Sequence, residues 1–547
     1  MIKKLFSGQV NSITIAALLV ALSSLISRFL GVFRDRILAG EFGAGDILDV
    51  YYAAFRIPDL IFNLIILGAL SAGFIPILIS LIDDPECKKD KFFFHAPNKE
   101  AWNLVSNLLN ILGVFVLVIS ILGYFFSPLV TRMIAPGFGL EKQQLVSELT
   151  RIMFLSPIFL GISSVLGGIL QSFKRFFIYS LSPIFYNLGI ILGAIFLVPK
   201  FGIYGLAWGV VLGAFLHMFI QLPMIFHLGY KYRPVFNLKC NNIKKIGKLM
   251  IPRLMSLGIS QINLLIITII ASTLDSGSLS VFNFANNLQA FPVGIFGISF
   301  AIAAFPAFSK VAFDKEKLIE NFSNVFRQIL FFIIPSTVLL ITLRAQITRV
   351  VLGTGEFDWT DTLLTIDTLG LFAISLFAQA SLPLIIRVFY ARHDSMTPFF
   401  IGLFSAVMNI FLSFVFSGVS GVAGLALAFS ISNILNFVLL WVFLRSEIGS
   451  LDEVKIFKST NKIMAAAIAS GLTIQGMKQV VWPYIDMTKV FGVFAQGAIA
   501  GVCGILVFAA FCSLLQSEEF FYFWNSFKRR ISWKKIETGD QGEARGI

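Results

Sequence analysis

The sequence predicts an all-α polytopic membrane protein with about fourteen transmembrane helices. Of its 547 residues, 57% are hydrophobic and 13% are charged, and the mean hydropathy of +0.85 exceeds what the surface of a soluble domain allows. Apolar runs of about 20 residues recur along the chain, and each can cross a bilayer core of about 30 Å. The basic residues lie mostly in alternate loops. Orientation in a bilayer therefore explains the net charge of +13, and we predict no nucleic-acid partner.

The first element is the apolar run that follows two lysines in "MIKKLFSGQVNSITIAALLVALSSLIS". This pattern is also that of a signal peptide. No clear small-residue cleavage site follows it, and many further apolar runs do. We therefore predict an uncleaved first helix with its lysines in the cytoplasm.

The remaining predicted helices follow at short intervals, and the loops between them test the count. The fourteen centres lie near residues 21, 64, 115, 160, 188, 216, 262, 295, 334, 378, 406, 433, 470 and 502. Loops that follow even-numbered helices, such as 81–100 and 229–248, are rich in lysine and arginine, whereas "TLDSGS" and "SGVSG" contain neither. This bias predicts that both termini are cytoplasmic.

A weak internal repeat divides the chain. The segments "YYAAFRIPDLIFNLIILGALSAGFIPILI" and "FNFANNLQAFPVGIFGISFAIAAFPAFS" align at an offset of 230 residues, which pairs Pro76 with Pro306. Secondary transporters are commonly built from such repeats, with the substrate between them. We predict four parts: helices 1–6 in residues 1–235, helices 7–12 in 246–450, two additional helices in 455–520 and a basic cytoplasmic tail in 521–547.

Charged residues are concentrated in the segment "SRFLGVFRDRILAGEFGAGDILDVYYAAFRIPD", which lies between apolar runs. A charge at the bilayer centre costs about 2.5–3.5 kcal/mol on insertion scales, and such charges mark transport pathways. Arg28 and Arg34 lie on or just after the first helix, and Asp49 and Arg56 share a face of the second. We interpret these four as pathway residues; the alternatives are interfacial snorkelling or an Asp49–Arg34 structural pair. The residues that we assign to the interface or the turn are Arg36, Asp46 and Asp59.

Arginines in a membrane cavity favour an anion, and their planar fork of donors suits phosphate. Arg253, which opens the seventh predicted helix between Pro252 and Gly258, is a further candidate, with snorkelling as its alternative. On the eighth helix, Asn287 and its polar neighbours can hydrogen-bond a sugar, a peptide or another helix.

Several kinds of chemistry are excluded or disfavoured. The sequence has no GxxxxGK[ST], HExxH, complete GxGxxG or GxSxG, so we predict no P-loop, no cofactor and no ATPase. The dispersed cysteines and histidines disfavour a metal site. A coupling ion, Na⁺ or H⁺, stays open, with Asp35, Asp49 and Asp275 as candidate sites, as does a response to membrane potential alone.

Several motifs occur together in one order. They are the segment from Ser27 quoted above, "GALSAGFIPIL", "APGF" at 135–138, "FP.GIFG" at 291–297, "G.GEF" at 353–357 and "FYARHDSMTP" at 389–398. Jointly they resemble the MurJ (MviN) lipid II flippases of the MATE-like multidrug/oligosaccharidyl-lipid/polysaccharide exporter superfamily.

The resemblance implies a fold of two six-helix lobes around a central cavity, with two C-terminal helices that form a groove. It implies a bacterial cytoplasmic-membrane flippase that moves the undecaprenyl-pyrophosphate-linked peptidoglycan precursor, lipid II, from the inner to the outer leaflet by alternating access, for cell-wall synthesis. Other membrane proteins of cell-wall synthesis are possible partners. Arg28, Arg34 and Asp49 match functional residues of the family, and Asp35 lies beside the second of them.

The chain departs from the family at positions where an arginine pair, a glutamate and an eighth-helix arginine often lie. The matching residues are Phe62, Asn63, Leu67 and Asn287. We expect Arg56, two turns before Asn63, to take over part of the anion binding. The open alternatives are a flippase of another lipid-linked oligosaccharide, a MATE-like small-molecule antiporter, a non-transporting scaffold and a membrane glycosyltransferase that uses Asp83 and Asp84.

Overall fold

The computed structural model describes residues 13–67, 73–82 and 99–532, and it describes only the backbone of residues 13–18, 65–67, 252–253, 255–257, 527 and 529–532. Throughout these residues the regular secondary structure is helical, which confirms the predicted all-α class. Several sequence predictions fall outside the described parts: the lysines before the first helix, residues 83–98 of the 81–100 loop with Asp83 and Asp84, the end of the basic tail and the Arg253 side chain.

The first ten α-helices extend to the end of the sixth predicted span. They are α1 (Ile13–Phe42), α2 (Asp46–Ile61), α3 (Ile75–Ile82), α4 (Lys99–Ile134), α5 (Leu140–Met153), α6 (Leu155–Ser172), α7 (Phe176–Leu192), α8 (Val198–Phe201), α9 (Tyr204–Phe219) and α10 (Leu222–His227).

Ten further α-helices complete the described chain. They are α11 (Asn241–Ser272), α12 (Ser278–Pro292), α13 (Ser299–Lys310), α14 (Lys315–Val351), α15 (Trp359–Ala373), α16 (Leu376–Ala391), α17 (Met396–Ile448), α18 (Glu453–Val481), α19 (Val490–Leu514) and α20 (Glu518–Ser532).

The helices have the length and apolarity of membrane spans. In the described residues, eight helical runs can cross a bilayer, or nine if the bent pair α15–α16 is one span. Each predicted centre lies in a helix or in the helical turn that continues one, and the helix α17 holds two of them on either side of Gly421, whose φ of 56° is not helical. The number of fourteen crossings stays a prediction, because the runs that qualify in the described residues do not include α1, α11 or α18.

Helix packing groups the chain into two compact units. One contains residues 1–288, 351–372 and 399–432, and the other contains residues 289–350, 373–398 and 433–547. The boundaries predicted at 235/246 and 450/455 stay predictions.

In the first unit, glycines bring α7 and α9 into close contact. A Cβ atom added to Gly189 would lie 2.3 Å from the Cα of Gly213, and one added to Gly193 would lie 2.2 Å from the Cα of Gly209. Side chains at these positions would separate the two helices. Their tight pairing fixes one wall of the cavity described below.

Pro58 lies inside the second predicted helix, in its last turn before the π-helical turn. Proline has no N–H, so the carbonyl of Ala54, four residues earlier, loses its helical donor. The Thr150 hydroxyl lies 3.3 Å from that carbonyl and joins α2 to α5. Four residues after Pro58, the chain enters a π-helical turn, Phe62–Leu67.

The two copies of the predicted repeat share this local irregularity. The π-helical turn Phe62–Leu67 in the first copy corresponds to Val293–Ile298 in the second, within one residue of the 230-residue offset. Each turn follows a helix that contains a proline near its end, Pro58 or Pro292. Since π-helical turns are rare, their coincidence supports the repeat that was inferred from the sequence.

The second unit holds the last amphipathic helix through a buried ion pair. The Arg327 guanidinium of α14 donates to the Glu519 carboxylate at 2.5 Å and to Glu518 at 2.9 Å, at the start of α20. The Ser517 hydroxyl donates to the second oxygen of Glu519 at 2.9 Å. Removing either buried partner would leave an uncompensated charge.

Candidate functional site

A cavity of about 630 Å³ opens within the first unit, between α1, α2, α6, α7 and the end of α9. Its size lies in the range of small-molecule sites. Its charged and polar lining side chains are Arg28, Arg34, Asp59, Gln171, Tyr179, Tyr186, His217, Gln221 and the serines 24, 27, 156, 163, 164 and 180. The cavity is therefore rich in hydroxyl groups, and its charged groups are two arginines and one aspartate.

Helical periodicity explains why these residues share one cavity. On α1, the lining positions 20, 24, 27, 28 and 34 recur with the spacing of one helix face. On α6, positions 156, 160, 163, 164, 168 and 171 do the same. Serine occupies three of the α6 positions, so this face is hydrophilic inside an otherwise apolar helix.

Arg28 is the unpaired cation of the cavity. It is half-buried, and among the described residues it has no hydrogen-bond or ion-pair partner. A charge held in an apolar protein without a counter-ion is costly, which favours an incoming anion as its partner.

Arg34 is held in place by Asp35. The Nε and Nη2 groups of Arg34 donate to Asp35 Oδ1 at 3.0 and 2.8 Å, and Nη1 donates to Asn187 Oδ1 at 3.2 Å. The second oxygen of Asp35 accepts from Asn287 Nδ2 at 2.8 Å. Asp35 thus orients Arg34 from outside the cavity lining, and Asn287 completes the support.

Asp49 of α2 lies outside the cavity lining, and its side chain contacts the start of α12. Its buried carboxylate accepts hydrogen bonds from the backbone N–H of Gly277 at 2.8 Å and from the N–H and hydroxyl of Ser280 at 2.9 and 2.7 Å. A carboxylate at a helix N-terminus satisfies free N–H donors and complements the helix dipole. The alternative of an Asp49–Arg34 pair is wrong, because Arg34 pairs with Asp35.

Arg56 is also engaged outside the cavity. Its Nε donates to Thr268 Oγ1 at 2.8 Å and its Nη2 donates to Asn283 Oδ1 at 3.1 Å. Arg56 is absent from the lining, so the expectation that it replaces the missing second-helix arginines gains no support from this geometry.

One sequence interpretation is corrected on α2. Asp59, assigned to the interface or the turn, lines the cavity, where Asn63 hydrogen-bonds its carboxylate. Spacing along one helix could not report that α1, α6 and α7 pack around this residue. On α1, Arg36 donates to the Val351 carbonyl at 3.3 Å, and its assignment to the interface stays a prediction.

Sequence reasoning missed a polar cluster that joins two elements. The Ser163 hydroxyl lies 2.6 Å from His217 Nδ1, and Gln221 Nε2 donates to Ser163 Oγ at 2.6 Å. Gln221 Oε1 is buried and has no hydrogen-bond partner in the described residues. His217 was considered only as a metal ligand; as an ionisable residue in an apolar helix it was already a candidate for a site. In the described parts of the chain, no three His, Cys, Asp or Glu side chains group as metal ligands do.

Comparison with known proteins places the chain in a known family. The family model described as "Lipid II flippase MurJ" matches residues 38–494, most of the chain. The chain belongs to the MurJ family. A probable lipid II flippase MurJ of Buchnera aphidicola subsp. Acyrthosiphon pisum is 34% identical over 434 residues, which are 77% of this chain and 81% of that protein. Its counterpart in Vibrio cholerae serotype O1 is 31% identical over 472 residues, 83% and 87% of the two chains.

Solved structures agree with the assignment to the MurJ family. A lipid II flippase MurJ in an inward closed conformation matches with a TM-score of 0.75 at 26% identity, over 91% of this chain and 98% of that one. A multidrug MATE transporter in an inward-facing conformation matches with a TM-score of 0.63 at 15% identity, over 80% and 99%, which shows a shared fold. The chain is therefore a multi-pass membrane transporter, and the resemblance noted in its motifs is confirmed.

Proposed function

We propose that this chain is a lipid II flippase, which moves the undecaprenyl-pyrophosphate-linked peptidoglycan precursor from the inner to the outer leaflet by alternating access. The observation that carries the proposal is the pair Arg28 and Arg34, in a cavity lined by serines and amides, in a member of the MurJ family.

The two arginines suit a pyrophosphate. They are six residues apart on α1, which is about 9 Å along a helix, and both side chains line the same cavity. A pyrophosphate carries acceptor oxygens on two phosphorus atoms, so one substrate can engage both guanidinium groups. Arg34 is pre-oriented by Asp35, and Arg28 is free to pair.

The uncharged part of the lining suits a sugar or a peptide. Six serines, two glutamines, two tyrosines and His217 present hydroxyl, amide and imidazole groups that hydrogen-bond such a headgroup. The unpaired Gln221 Oε1 is an acceptor that a substrate hydroxyl or amide can satisfy.

A second candidate is a flippase of another lipid-linked oligosaccharide. Phe62 and Asn63 stand where family members often have an arginine pair. The loss of these two arginines favours a substrate that makes different contacts near the second helix. A MATE-like antiporter for organic cations has less support, because two arginines and a single carboxylate line the cavity.

Two turns of the first unit are in close contact, and this contact supports the proposal that one side of the pathway is closed. The α1–α2 turn and the turn before α12 meet so closely that a Cβ atom on Gly277 would lie 1.8 Å from the Ala44 carbonyl oxygen. Asp49 joins the same turns through Gly277 and Ser280. In the alternating-access proposal, these contacts form in one state and break in the other.

Complementation tests the proposed function. A bacterial strain depleted of its own lipid II flippase is expected to grow when this chain is expressed, because the chain would restore delivery of the precursor. Growth is measured beside the membrane level of the protein. Lysis at normal protein levels would contradict the proposal, whereas rescue of a strain that lacks only another oligosaccharide flippase would favour the second candidate.

We also propose that transport needs no nucleotide, because the sequence has no P-loop. Addition of ATP is expected to leave leaflet transfer by the pure protein in liposomes unchanged. A Na⁺ or H⁺ gradient is the proposed coupling, with Asp59 as the carboxylate that the cavity presents. A rise in transfer on addition of ATP and Mg²⁺ would contradict the nucleotide-free mechanism.

The proposed location is the bacterial cytoplasmic membrane, with both termini in the cytoplasm and with other cell-wall synthesis membrane proteins as partners. Lys244 in α11 and Val419 in α17 are exposed and suit single-cysteine labelling in a chain without its native cysteines. A cysteine at 419 is expected to react with an impermeant maleimide from outside, and one at 244 is expected to react only after permeabilisation. The reverse pattern would overturn the proposed orientation.

A further inference from the structure

A second polar cavity lies in the other compact unit, at one end of the helices α14, α18 and α19. Its volume is about 410 Å³. Its lining residues are Gln346, Gln475, Lys478, Gln479, Trp482 and Gln496. The proposed function uses none of them, and such a group of amides is unusual between helices of predicted membrane spans.

Close helix packing fixes the walls of this cavity. A Cβ atom on Gly497 of α19 would lie 3.1 Å from the Gln346 Cβ of α14, and one on Gly504 would lie 2.4 Å from Ile474 of α18. Glycine at these positions lets α19 approach both neighbouring helices. The amides are therefore held on a rigid frame.

Two of the glutamines form a chain of hydrogen bonds, in which one side-chain oxygen has no partner among the described residues. Gln346 Nε2 donates to Gln496 Oε1 at 2.9 Å, and Gln496 Nε2 donates to the Lys478 carbonyl at 2.9 Å. Gln346 Oε1 is buried and has no hydrogen-bond partner among the described residues. A hydroxyl group of a ligand is the kind of donor that such an amide oxygen requires.

The cavity carries positive charge that the described protein does not neutralise. The Lys478 ammonium donates to the Thr342 carbonyl at 3.0 Å and to Gln475 Oε1 at 3.2 Å, which leaves one of its three donors. Within the described residues, no carboxylate forms a salt bridge with Lys478. The site therefore favours an anion.

Aromatic residues place the cavity at the depth of lipid headgroups. Trp482 and Tyr484 follow α18 directly and are 60% and 85% exposed. Tryptophan and tyrosine concentrate at the membrane–water interface. Lys478 lies one helical turn before Trp482, and Gln496 lies about 9 Å along α19 from its start.

We propose that this cavity binds the phosphate headgroup of an anionic glycerophospholipid from the surrounding bilayer. The phosphate would pair with Lys478, the hydroxyls of a headgroup such as that of phosphatidylglycerol would hydrogen-bond the glutamine amides, and the acyl chains would lie against α18 and α19. Zwitterionic phosphatidylethanolamine is disfavoured, because its own ammonium group would lie close to the Lys478 ammonium group. This lipid site is separate from the cavity of Arg28 and Arg34 and goes beyond the proposed function.

Photo-crosslinking tests the lipid site. The full-length protein is placed in phosphatidylcholine nanodiscs that contain a photoactivatable phosphatidylglycerol, and crosslinked peptides are mapped. We expect crosslinks in residues 475–496 that unlabelled phosphatidylglycerol displaces and phosphatidylethanolamine does not. Lys478→Gln is expected to weaken phosphatidylglycerol binding by about tenfold or more, because it removes a charge-assisted hydrogen bond. Lys478→Arg is expected to keep most of the binding.

Lys489→Gln is the matched control, because this exposed lysine lies at the same end of the helix pair and already pairs with Asp486 at 3.3 Å. Unchanged crosslinking in the folded Lys478→Gln variant would overturn the proposal. Displacement by undecaprenyl phosphate or by inorganic phosphate but not by phosphatidylglycerol would overturn the phospholipid as the source. Because complementation and crosslinking are separate measurements, failure of the flippase proposal leaves this result interpretable.

Discussion

Alanine at Arg28 or at Arg34 is expected to abolish or sharply reduce transport while the protein still inserts and folds. A charge-assisted hydrogen bond contributes about 1.5–3 kcal/mol, so the loss of one phosphate contact weakens binding by about 10- to 150-fold. Lysine at either position should rescue only partly, because an ammonium group lacks the bidentate fork. The measurement is complementation beside membrane level and thermal stability.

The structure supplies controls for both arginines. Arg132 of α4 is exposed and has no ion-pair partner in the described chain, so Arg132→Ala should be nearly silent. Arg34→Ala leaves the buried Asp35 carboxylate without its cation, which by itself destabilises the fold. The double variant Arg34→Ala/Asp35→Asn removes that unpaired charge. If it regains stability but not transport, the cation itself is required; recovery of both would assign Arg34 a purely structural role.

Alanine at Gly277 is expected to be the most damaging of the small substitutions. The residue has φ +87°, and its Cβ atom would lie 1.8 Å from a backbone oxygen of Ala44. Left-handed geometry costs about 1–2 kcal/mol and overpacking about 1–3 kcal/mol, so we expect a loss of about 3 kcal/mol in the contact between the two turns. Transport should fall by at least tenfold, and amide hydrogen exchange should rise in residues 43–50.

Gly229→Ala is the matched control for this effect. Gly229 has φ +83°, but nothing lies within 4 Å of its added Cβ atom. Its alanine variant should therefore show only the backbone cost and keep most of its activity. Similar losses in both variants would indicate that backbone strain, and not the approach of the two turns, is responsible.

The sequence predicted the class of the fold and the two arginines of the cavity, and each prediction has a physical reason. Uninterrupted apolar runs specify membrane helices, and the cost of intramembrane charge singled out Arg28 and Arg34, which line the cavity. Two π-helical turns lie at places that the 230-residue offset makes equivalent, although the sequence analysis did not predict the turns themselves.

The rest depends on contacts between distant segments. Asp49 was assigned to the pathway, but it binds a turn 228 residues away along the chain, and no local pattern reports that contact. Ser163 and His217 are 54 residues apart along the chain and meet because α6 packs against α9. For Asp59, periodicity placed the residue on a helix, but the packing of α1, α6 and α7 around it determines that it lines the cavity.

Leaflet transfer of fluorescent lipid II by the purified protein in liposomes is the most direct test of the central claim. Transfer is measured as the fraction of the lipid that becomes accessible to an impermeant quencher over time. We predict that the wild type and Arg132→Ala transfer the lipid well above protein-free liposomes, whereas Arg28→Ala stays near that background. Transfer by Arg28→Ala at the wild-type rate, with equal amounts of folded protein, would contradict the assignment of this cavity as the binding site for the precursor.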